Sequence, residues 1–338
     1  MTDEGELPAE IRFGWDRVVG HAATVAALRR ASSADRPHPA YLLMGPAGIG
    51  KTLVAHTVAA SLVCEAAADR RPCGACGPCR KVAVRAHTDV WTELPTGRSK
   101  TITVDQVAGV QRRLGFRRLE GRHRVVLFLG AGTMNEHAQN KLLKTLEEPP
   151  EGTVLILTAL HPGLMLQTVR SRCQKLAFGA VAAGPLAEWL VREHGAESAA
   201  AAVAAAASGG LPGRAVALLE PELAEARASR VSTVAAALDG DGEARSRLLK
   251  EFDRDREGAR EIVSLMQELL RDAMARAAGA NADSIHPDAA SPESLLVLGP
   301  DRLARLMLHA EAVQDRLVRN VHPGGVVEDF LRAVRDAP

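Results

Sequence analysis

Aromatic residues are scarce in this 338-residue chain, at 3%, and its apolar content of 46% depends mainly on Ala, Val and Leu, a bias that favours helices. Neither sign of charge is in excess, because 42 basic and 41 acidic residues leave a formal net charge of +1. This balance excludes a whole-molecule basic field of the kind that attracts nucleic acid or anionic lipid. Any such partner would have to be bound through a local patch.

The sequence also lacks a long hydrophobic run. No window approaches the roughly 18 consecutive apolar residues that cross a bilayer. The N-terminus, MTDEGELPAE, is acidic and lacks the basic and apolar pattern of a secretory signal. We therefore expect a cytoplasmic protein with no membrane partner.

Cysteine is rare except in one short segment, where four of the five cysteines fall between positions 64 and 79. Their spacing is C-x8-C-x2-C-x2-C, with glycine and proline between them to allow tight turns. Four thiolates suit a closed tetrahedral Zn²⁺ site in which no position is left for water. We therefore predict a structural zinc module at 64–79, and the alternative is a set of unrelated buried thiols. The predicted ligands are Cys64, Cys73, Cys76 and Cys79.

Short apolar runs alternate with helical periods through the first half of the chain. Thr103 followed by Gln106 predicts a capping box at a helix start. Strands that alternate with helices predict a mostly parallel sheet covered on both faces, so the expected fold class is α/β. The predicted strands are 41–44, 89–94, 125–129 and 153–158, and the predicted helices are 16–34, 53–63, 104–114 and 135–147.

The strand signals fade from about residue 180, where helical periods continue to the end of the chain. Short helices are predicted at 184–194, 196–207 and 212–220, and a small-residue loop at 279–294 interrupts the later helices. The sequence therefore predicts three domains. These are an α/β domain at 1–179, a small helical domain at 180–220 and an α-helical C-terminal domain at 221–338.

The segment GPAGIGKT at 45–52 follows an apolar strand and opens a helix, which is the context of a phosphate-binding loop. Its glycines let backbone N–H groups curl around phosphate oxygens, and the helix N-terminus favours an anion. Lys51 supplies a positive charge and Thr52 a hydroxyl for Mg²⁺. This GPAGIGKT loop predicts binding of ATP and Mg²⁺, and the alternative is a chance glycine-rich turn. The glycines concerned are Gly45, Gly48 and Gly50.

The acidic residues that ATP hydrolysis requires are missing. A P-loop enzyme that hydrolyses nucleotide keeps one carboxylate at the end of a neighbouring strand for Mg²⁺, and a second group orients water. The expected strand here, RVVLFL, ends in Leu129 and is followed by Gly130. We therefore expect the chain to bind nucleotide without cleaving it efficiently.

Two further motifs complete a resemblance. AQNKLLKTLEEPP at 138–150 and VRSRCQ at 169–174 follow the loop and the cysteines in an order typical of AAA+ clamp-loader subunits. Over residues 14–220 the chain resembles the delta-prime and gamma/tau family of the bacterial DNA polymerase III clamp loader. Motor subunits of this family carry an Asp-Glu pair where Leu129 and Gly130 stand, so the sequence favours the non-motor delta-prime branch.

The resemblance implies a five-subunit assembly with gamma/tau and delta subunits that opens a sliding clamp and places it on primed DNA. It implies that Arg172 of the Ser-Arg-Cys motif reaches the nucleotide of a neighbouring subunit as an arginine finger. Local pairing of Arg172 with a carboxylate is the alternative. The resemblance also implies sensor roles for Thr158 and for Arg214, a helical lid at 180–220 and an oligomerisation collar at 221–338.

Three functions of different classes remain open. The first is a non-motor clamp-loader subunit that donates Arg172, and the second is a gamma/tau-like ATPase motor. The third is a diverged zinc-containing DNA-binding paralogue, which the near-zero net charge disfavours. The basic stretch RRLGFRRLEGRHR at 112–124 either contacts DNA phosphates or forms a solvated helix face and loop.

Overall fold

A parallel sheet forms the centre of the first half of the protein. A computed structural model describes residues 8–34, 36–97, 99–279, 285, 291–318 and 322–336. Within these residues, five strands follow the order β2-β3-β4-β1-β5, and every neighbouring pair is parallel. The predicted parallel α/β fold is therefore confirmed. The strands are β1 (Ala40–Met44), β2 (Val90–Glu93), β3 (Arg124–Phe128), β4 (Thr153–Ala159) and β5 (Gln174–Ala177).

The central strands β3 and β4 are buried at every residue. Their sequences, RVVLF and TVLILTA, are nearly continuous apolar runs, as expected for parallel strands covered on both faces. Because β4 pairs with β1 on one side and with β3 on the other, the carboxyl ends of these three strands lie side by side. In open α/β sheets this edge is where ligands bind, which makes it the candidate site.

Helices accompany the strands in the first of two compact units, which extends to Glu193 and includes Gly210–Arg214. Helix α2 begins at the end of the GPAGIGKT loop. It is buried along most of its length because it packs against β1, β3 and β4 of the sheet. The helices of this region are α1 (Ala22–Ser33), α2 (Lys51–Val63), α3 (Gly77–Ala83), α4 (Val104–Leu114), α5 (Glu136–Glu147), α6 (Gln167–Arg170) and α7 (Ala183–His194).

Helix α4 begins with the predicted capping box. The backbone N–H of Gln106 donates to Thr103 Oγ1 at 3.3 Å, and the backbone N–H of Thr103 donates to Gln106 Oε1 at 2.9 Å. Each side chain thus satisfies a backbone donor that the helix itself leaves without an acceptor. The local sequence signal was sufficient here because the two bonds that define the box join residues only three positions apart.

One predicted helix needs correction, and two elements were not predicted. The helix predicted at 16–34 begins only at Ala22, because Gly20 and His21 have φ angles of +73° and +53°, which no α-helix accepts. The edge strand β5 was missed because QKLA is short and largely exposed, so it carries no apolar run. Helix α3 was missed because it lies among the closely spaced cysteines.

The second compact unit comprises His194–Gly209 and the chain from Ala215 onward. Its core contains buried side chains such as Met266, Leu303 and Phe330, supplied by helices at apolar spacing. The helices are α8 (Ser198–Ala207), α9 (Pro212–Ala217, which begins in the first unit), α10 (Pro221–Leu238), α11 (Gly242–Glu251), α12 (Arg256–Ala277), α13 (Glu293–Leu296), α14 (Pro300–Val318) and α15 (Pro323–Arg335).

Much of the loop predicted at 279–294 falls on 280–284 and 286–290, outside the described residues, and α13 occupies its end. None of the described helices is both long enough and apolar enough to cross a membrane. The division into three domains at 179 and 220 stays a prediction.

Candidate functional site

The GPAGIGKT loop connects β1 to α2, and the side chain of its lysine bonds back to the loop's own carbonyl oxygens. Lys51 Nζ donates to the carbonyl oxygens of Gly45 and Pro46, each at 2.8 Å, and the side chain is buried. Gly48 and Gly50 have φ angles of +75° and +102°, which residues with a Cβ avoid. The loop therefore has the glycine-dependent backbone that its sequence predicts.

Thr52 lies in the first turn of α2, one turn before the buried His56. Burial lowers the pKa of His56 to about 4, although the nearby backbone carbonyl opposes the shift, so the ring is neutral at physiological pH. His56 Nδ1 lies 2.8 Å from the Thr52 carbonyl oxygen, which a neutral ring can contact only as an N–H donor. This bond links Thr52, in the first turn of α2, to the buried His56 one turn later in the same helix.

A second backbone segment rests on the loop at Gly48. The N–H of Gly213 donates to the Gly48 carbonyl oxygen at 2.8 Å. A Cβ added to Gly213 would stand 3.0 Å from Gly48 Cα, so this approach depends on glycine. A Cβ added to Gly48 would lie 3.6 Å from the backbone nitrogen of Arg214. The half-buried Arg214 is thus brought to the loop by the backbone of its neighbour.

Apolar and backbone groups close the carboxyl end of β3. The buried Thr158, on β4 opposite Leu43 of β1, accepts the N–H of Gly130 at its Oγ1 at 2.8 Å. Gly130 has a φ of +81°, and a Cβ added there would stand 3.0 Å from Pro95 Cγ. Leu129 is buried as well. A carboxylate at 129 would be a buried charge, and a side chain at 130 would be strained.

One acidic residue does end a strand, and sequence reasoning did not single it out. Glu93 closes β2, where its carbonyl oxygen accepts the N–H of Leu129 at 3.0 Å. Its carboxylate accepts the amide of Gln106 at 3.2 Å and lies 3.7 Å from Arg113 Nη1. The sheet places β2 three strands from β1, roughly 14 Å at about 4.8 Å per strand, so Glu93 cannot hold a metal ion on the loop.

Restoring the acidic pair with Leu129→Asp and Gly130→Glu should destabilise the protein without creating an ATPase. The left-handed backbone at 130 and the buried carboxylate at 129 together should cost on the order of 3 kcal/mol or more. Thermal unfolding and phosphate release by the isolated variant measure both effects. Gly179→Ala is the matched control, because a Cβ there meets nothing within 4 Å. Brisk phosphate release by a stably folded double variant would contradict this expectation.

Arg172 lies two residues after the end of α6 and is bonded within its own chain. Its Nη2 lies 2.6 Å from Glu147 Oε1 at the end of α5, and its Nη1 donates to the Thr168 carbonyl oxygen at 2.8 Å. The two charged side chains are 36% and 48% exposed. The local carboxylate that one alternative predicted is therefore present. The sequence did not predict Glu147 as the partner of Arg172, although Glu147 lies in the AQNKLLKTLEEPP segment at 138–150.

The four clustered cysteines bring their sulfur atoms together. All four Sγ atoms lie within 4.8 Å of one another, and the two that are nine-tenths or more buried are Cys64 and Cys79. Tetrahedral coordination with Zn–S bonds of about 2.3 Å needs sulfurs about 3.8 Å apart, close to this arrangement. Cys64 caps α2, and Cys79 lies in α3, whose first turn contains Pro78. The four thiols can therefore hold a metal ion.

Backbone N–H groups point at the sulfur atoms, as they do around metal-bound thiolates. Cys64 Sγ accepts from the N–H groups of Ala66 and Cys73, each at 3.4 Å. Burial raises the pKa of the Cys64 and Cys79 thiols. Burial also opposes ionisation of Cys73, but the N–H groups of Ala75 and Cys76, together with the side chains of Cys64 and Cys76, outweigh it and lower the pKa of Cys73 to about 7. The N–H donors thus favour thiolate at Cys73, whereas burial favours the protonated thiol at Cys64 and Cys79 when no metal is bound.

The basic stretch at 112–124 is largely exposed, as the solvated alternative predicts, but it is anchored at two points. Burial would raise the pKa of Asp89, but the N–H groups of Gly121, Glu120 and Leu119 donate to its carboxylate and lower that pKa. The buried Arg124 donates to the carbonyl oxygens of Leu114 and Phe116. The anchored loop exposes 74% of Phe116 and 79% of Leu119. Contact of this stretch with DNA stays a prediction.

The contacts of the described residues group the predicted site residues into three sets. The GPAGIGKT loop is joined by Thr158 at the neighbouring strand and by the Gly213 and Arg214 backbone. Arg172 forms a second set with Glu147, and the four cysteines form the third. Gly213 and Glu147 are the contacting residues that the sequence did not predict.

Known proteins resemble this chain in sequence. A family model described as DNA polymerase III, delta subunit, matches residues 20–182. DNA polymerase III subunit delta′ of Pseudomonas aeruginosa is 43% identical over 157 residues, which is 45% of this chain and 47% of that protein, so the match spans about half of it. The delta′ subunit of Escherichia coli K12 is 31% identical over 248 residues, 73% of each chain. The tau subunit of the same organism is 34% identical over 156 residues, 46% of this chain and 24% of that protein.

Proposed function

Because the chain belongs to the DNA polymerase III subunit delta′ family, we propose that it is a non-motor subunit of the clamp loader. In this role it assembles with gamma/tau and delta subunits and contributes to loading a sliding clamp onto primed DNA. It serves the ATP site of a neighbour instead of hydrolysing ATP efficiently itself.

The main support for this proposal is the absence of a carboxylate at the carboxyl end of β3, where Leu129 and Gly130 stand. Leu129 is buried and Gly130 bonds to Thr158, so the position that would hold a metal-binding carboxylate is filled by apolar and backbone groups. Efficient phosphoryl transfer needs that carboxylate to hold Mg²⁺ against the phosphates. The same observation disfavours the alternative of an ATPase motor.

Arg172 is the residue that we propose acts on the neighbour. A guanidinium supplied in trans stabilises the negative charge that develops on the transferred phosphoryl group. Arg172 is partly exposed and lies two residues after a short helix, which supports access by another subunit. Nucleotide held by this chain would lie on the GPAGIGKT loop with Lys51 and Thr52, and Thr158 and Arg214 would sense its phosphates.

We propose that the four-cysteine module holds Zn²⁺ in a structural role. A bound Zn²⁺ would cross-link the end of α2 to α3, and four sulfur ligands would leave no site for a reactive water. The helical lid at 180–220, the C-terminal collar at 221–338 and the cytoplasmic location complete the proposal as expectations.

Co-purification tests the assembly. The chain is expected to elute with gamma/tau and delta subunits as one complex and to release almost no phosphate from ATP when alone. Lys51→Ala in this chain should therefore leave the ATPase activity of the complex nearly unchanged, whereas the corresponding change in a motor subunit should abolish it. Failure to form the complex, or fast hydrolysis by the isolated chain that Lys51→Ala removes, would refute the proposal.

A further inference from the structure

Glu147 orients the arginine that serves the neighbouring ATP site. We propose that it is a positioning residue, which holds the Arg172 guanidinium in the geometry used in trans. This inference rests on the proposed function of Arg172. It adds a second residue of this chain to that reaction, one that acts through Arg172 and does not touch the nucleotide.

Two contacts fix the guanidinium at its two ends. Glu147 Oε1 lies 2.6 Å from Nη2, and the Thr168 carbonyl oxygen accepts from Nη1 at 2.8 Å. The Ser171 hydroxyl lies 3.5 Å from the same Nη1. A guanidinium has five N–H groups in one plane, and two contacts at separate nitrogens define that plane. In the described part of the chain these contacts use at most three of the five, so donors remain for an external phosphate.

The position of Glu147 is not explained by the stability of its own helix. It is the last residue of α5, where the helix macrodipole disfavours a carboxylate. Its neighbour Glu148 is also exposed and follows the helix. The contact that distinguishes Glu147 from Glu148 is the one to Arg172, which crosses from the end of α5 to the turn after α6.

Orientation matters because a transferred phosphoryl group accepts hydrogen bonds in a narrow geometry. A free arginine side chain samples many rotamers, and only a few direct its donors at a neighbouring subunit. A carboxylate that bonds to one edge of the guanidinium reduces the number of rotamers that the arginine samples before the neighbouring subunit binds. The expected benefit therefore appears in the turnover number and not in the affinity for ATP.

The test compares Glu147→Ala, Glu147→Gln and Arg172→Ala in the reconstituted complex. Glu147→Ala should lower kcat at the neighbouring ATP site by about 10-fold and leave KM unchanged, because only the placement of Arg172 is lost. Glu147→Gln should recover part of the loss, since its amide oxygen still accepts an N–H. With Arg172→Ala already present, Glu147→Ala should cause no further decrease.

Glu148→Ala is the matched control and should behave as the wild type. Size-exclusion chromatography of each complex shows that assembly is preserved. Normal turnover with Glu147→Ala alongside slow turnover with Arg172→Ala would overturn the positioning role and leave the proposed function standing. An additive loss in the double variant would also overturn it. Normal turnover with Arg172→Ala would overturn both.

Discussion

Arg172→Ala is expected to slow ATP hydrolysis by the assembled complex by about 10³-fold at the site next to this chain, the effect typical of losing an arginine finger. The chain should stay folded, because an exposed ion pair such as that of Arg172 with Glu147 contributes only about 0–1 kcal/mol. Single-turnover phosphate release from the complex on primed DNA, compared with thermal unfolding of the isolated chain, separates the two effects.

Two controls sharpen this experiment. Lys175→Ala removes an exposed cation three residues later and should leave turnover unchanged. Arg172→Lys keeps the charge but loses the planar set of donors, so it should rescue little of the activity. If Arg172→Ala and wild-type complexes hydrolyse ATP at equal rates, the arginine acts only within its own chain.

Loss of the metal is expected to have the largest effect on stability. Cys79→Ser should abolish stoichiometric zinc binding and lower the free energy of unfolding by on the order of 3–5 kcal/mol, because a ligand and the cross-link to α2 are lost together. Metal content per chain and thermal unfolding, with and without chelator, measure this. Purified wild-type chain that contains no zinc and does not respond to chelator would contradict it.

Cys173→Ser provides the comparison for that variant. Burial raises the pKa of Cys173 to about 11, so it is a protonated thiol, and it packs with residues of β1, β3, β4, α4 and α5 in one apolar core. Its replacement should cause a smaller loss of stability and no change in zinc content. The pair of serine variants therefore separates loss of a metal ligand from the general cost of changing a buried cysteine.

The features that the sequence predicted well are those with a local cause. The strands β3 and β4 are continuous apolar runs, and the capping box at Thr103 needs only residues three apart. The cysteine cluster likewise lies within one short segment.

The features that the sequence did not predict depend on tertiary approach. Glu147 and Arg172 meet only because β4 and α6 return the chain to the end of α5. The contact of Gly213 with Gly48 is made by backbone atoms, so no side-chain pattern reports it. β5 pairs through its backbone with β1 while its side chains stay largely exposed.

The contact between Gly48 and Gly213 also limits how this chain can vary. In a packed core, a larger side chain at one position can be offset by a smaller one opposite, but neither glycine has a side chain to give up. A methyl group on Gly213 would press on the Gly48 backbone at 3.0 Å, whatever residue stood at 48. At Gly48 the restriction is the φ of +75°, which strains any residue with a Cβ, and at Gly213 it is the close approach of the Gly48 backbone. No change at one position relieves the restriction at the other, so we expect each to favour glycine independently.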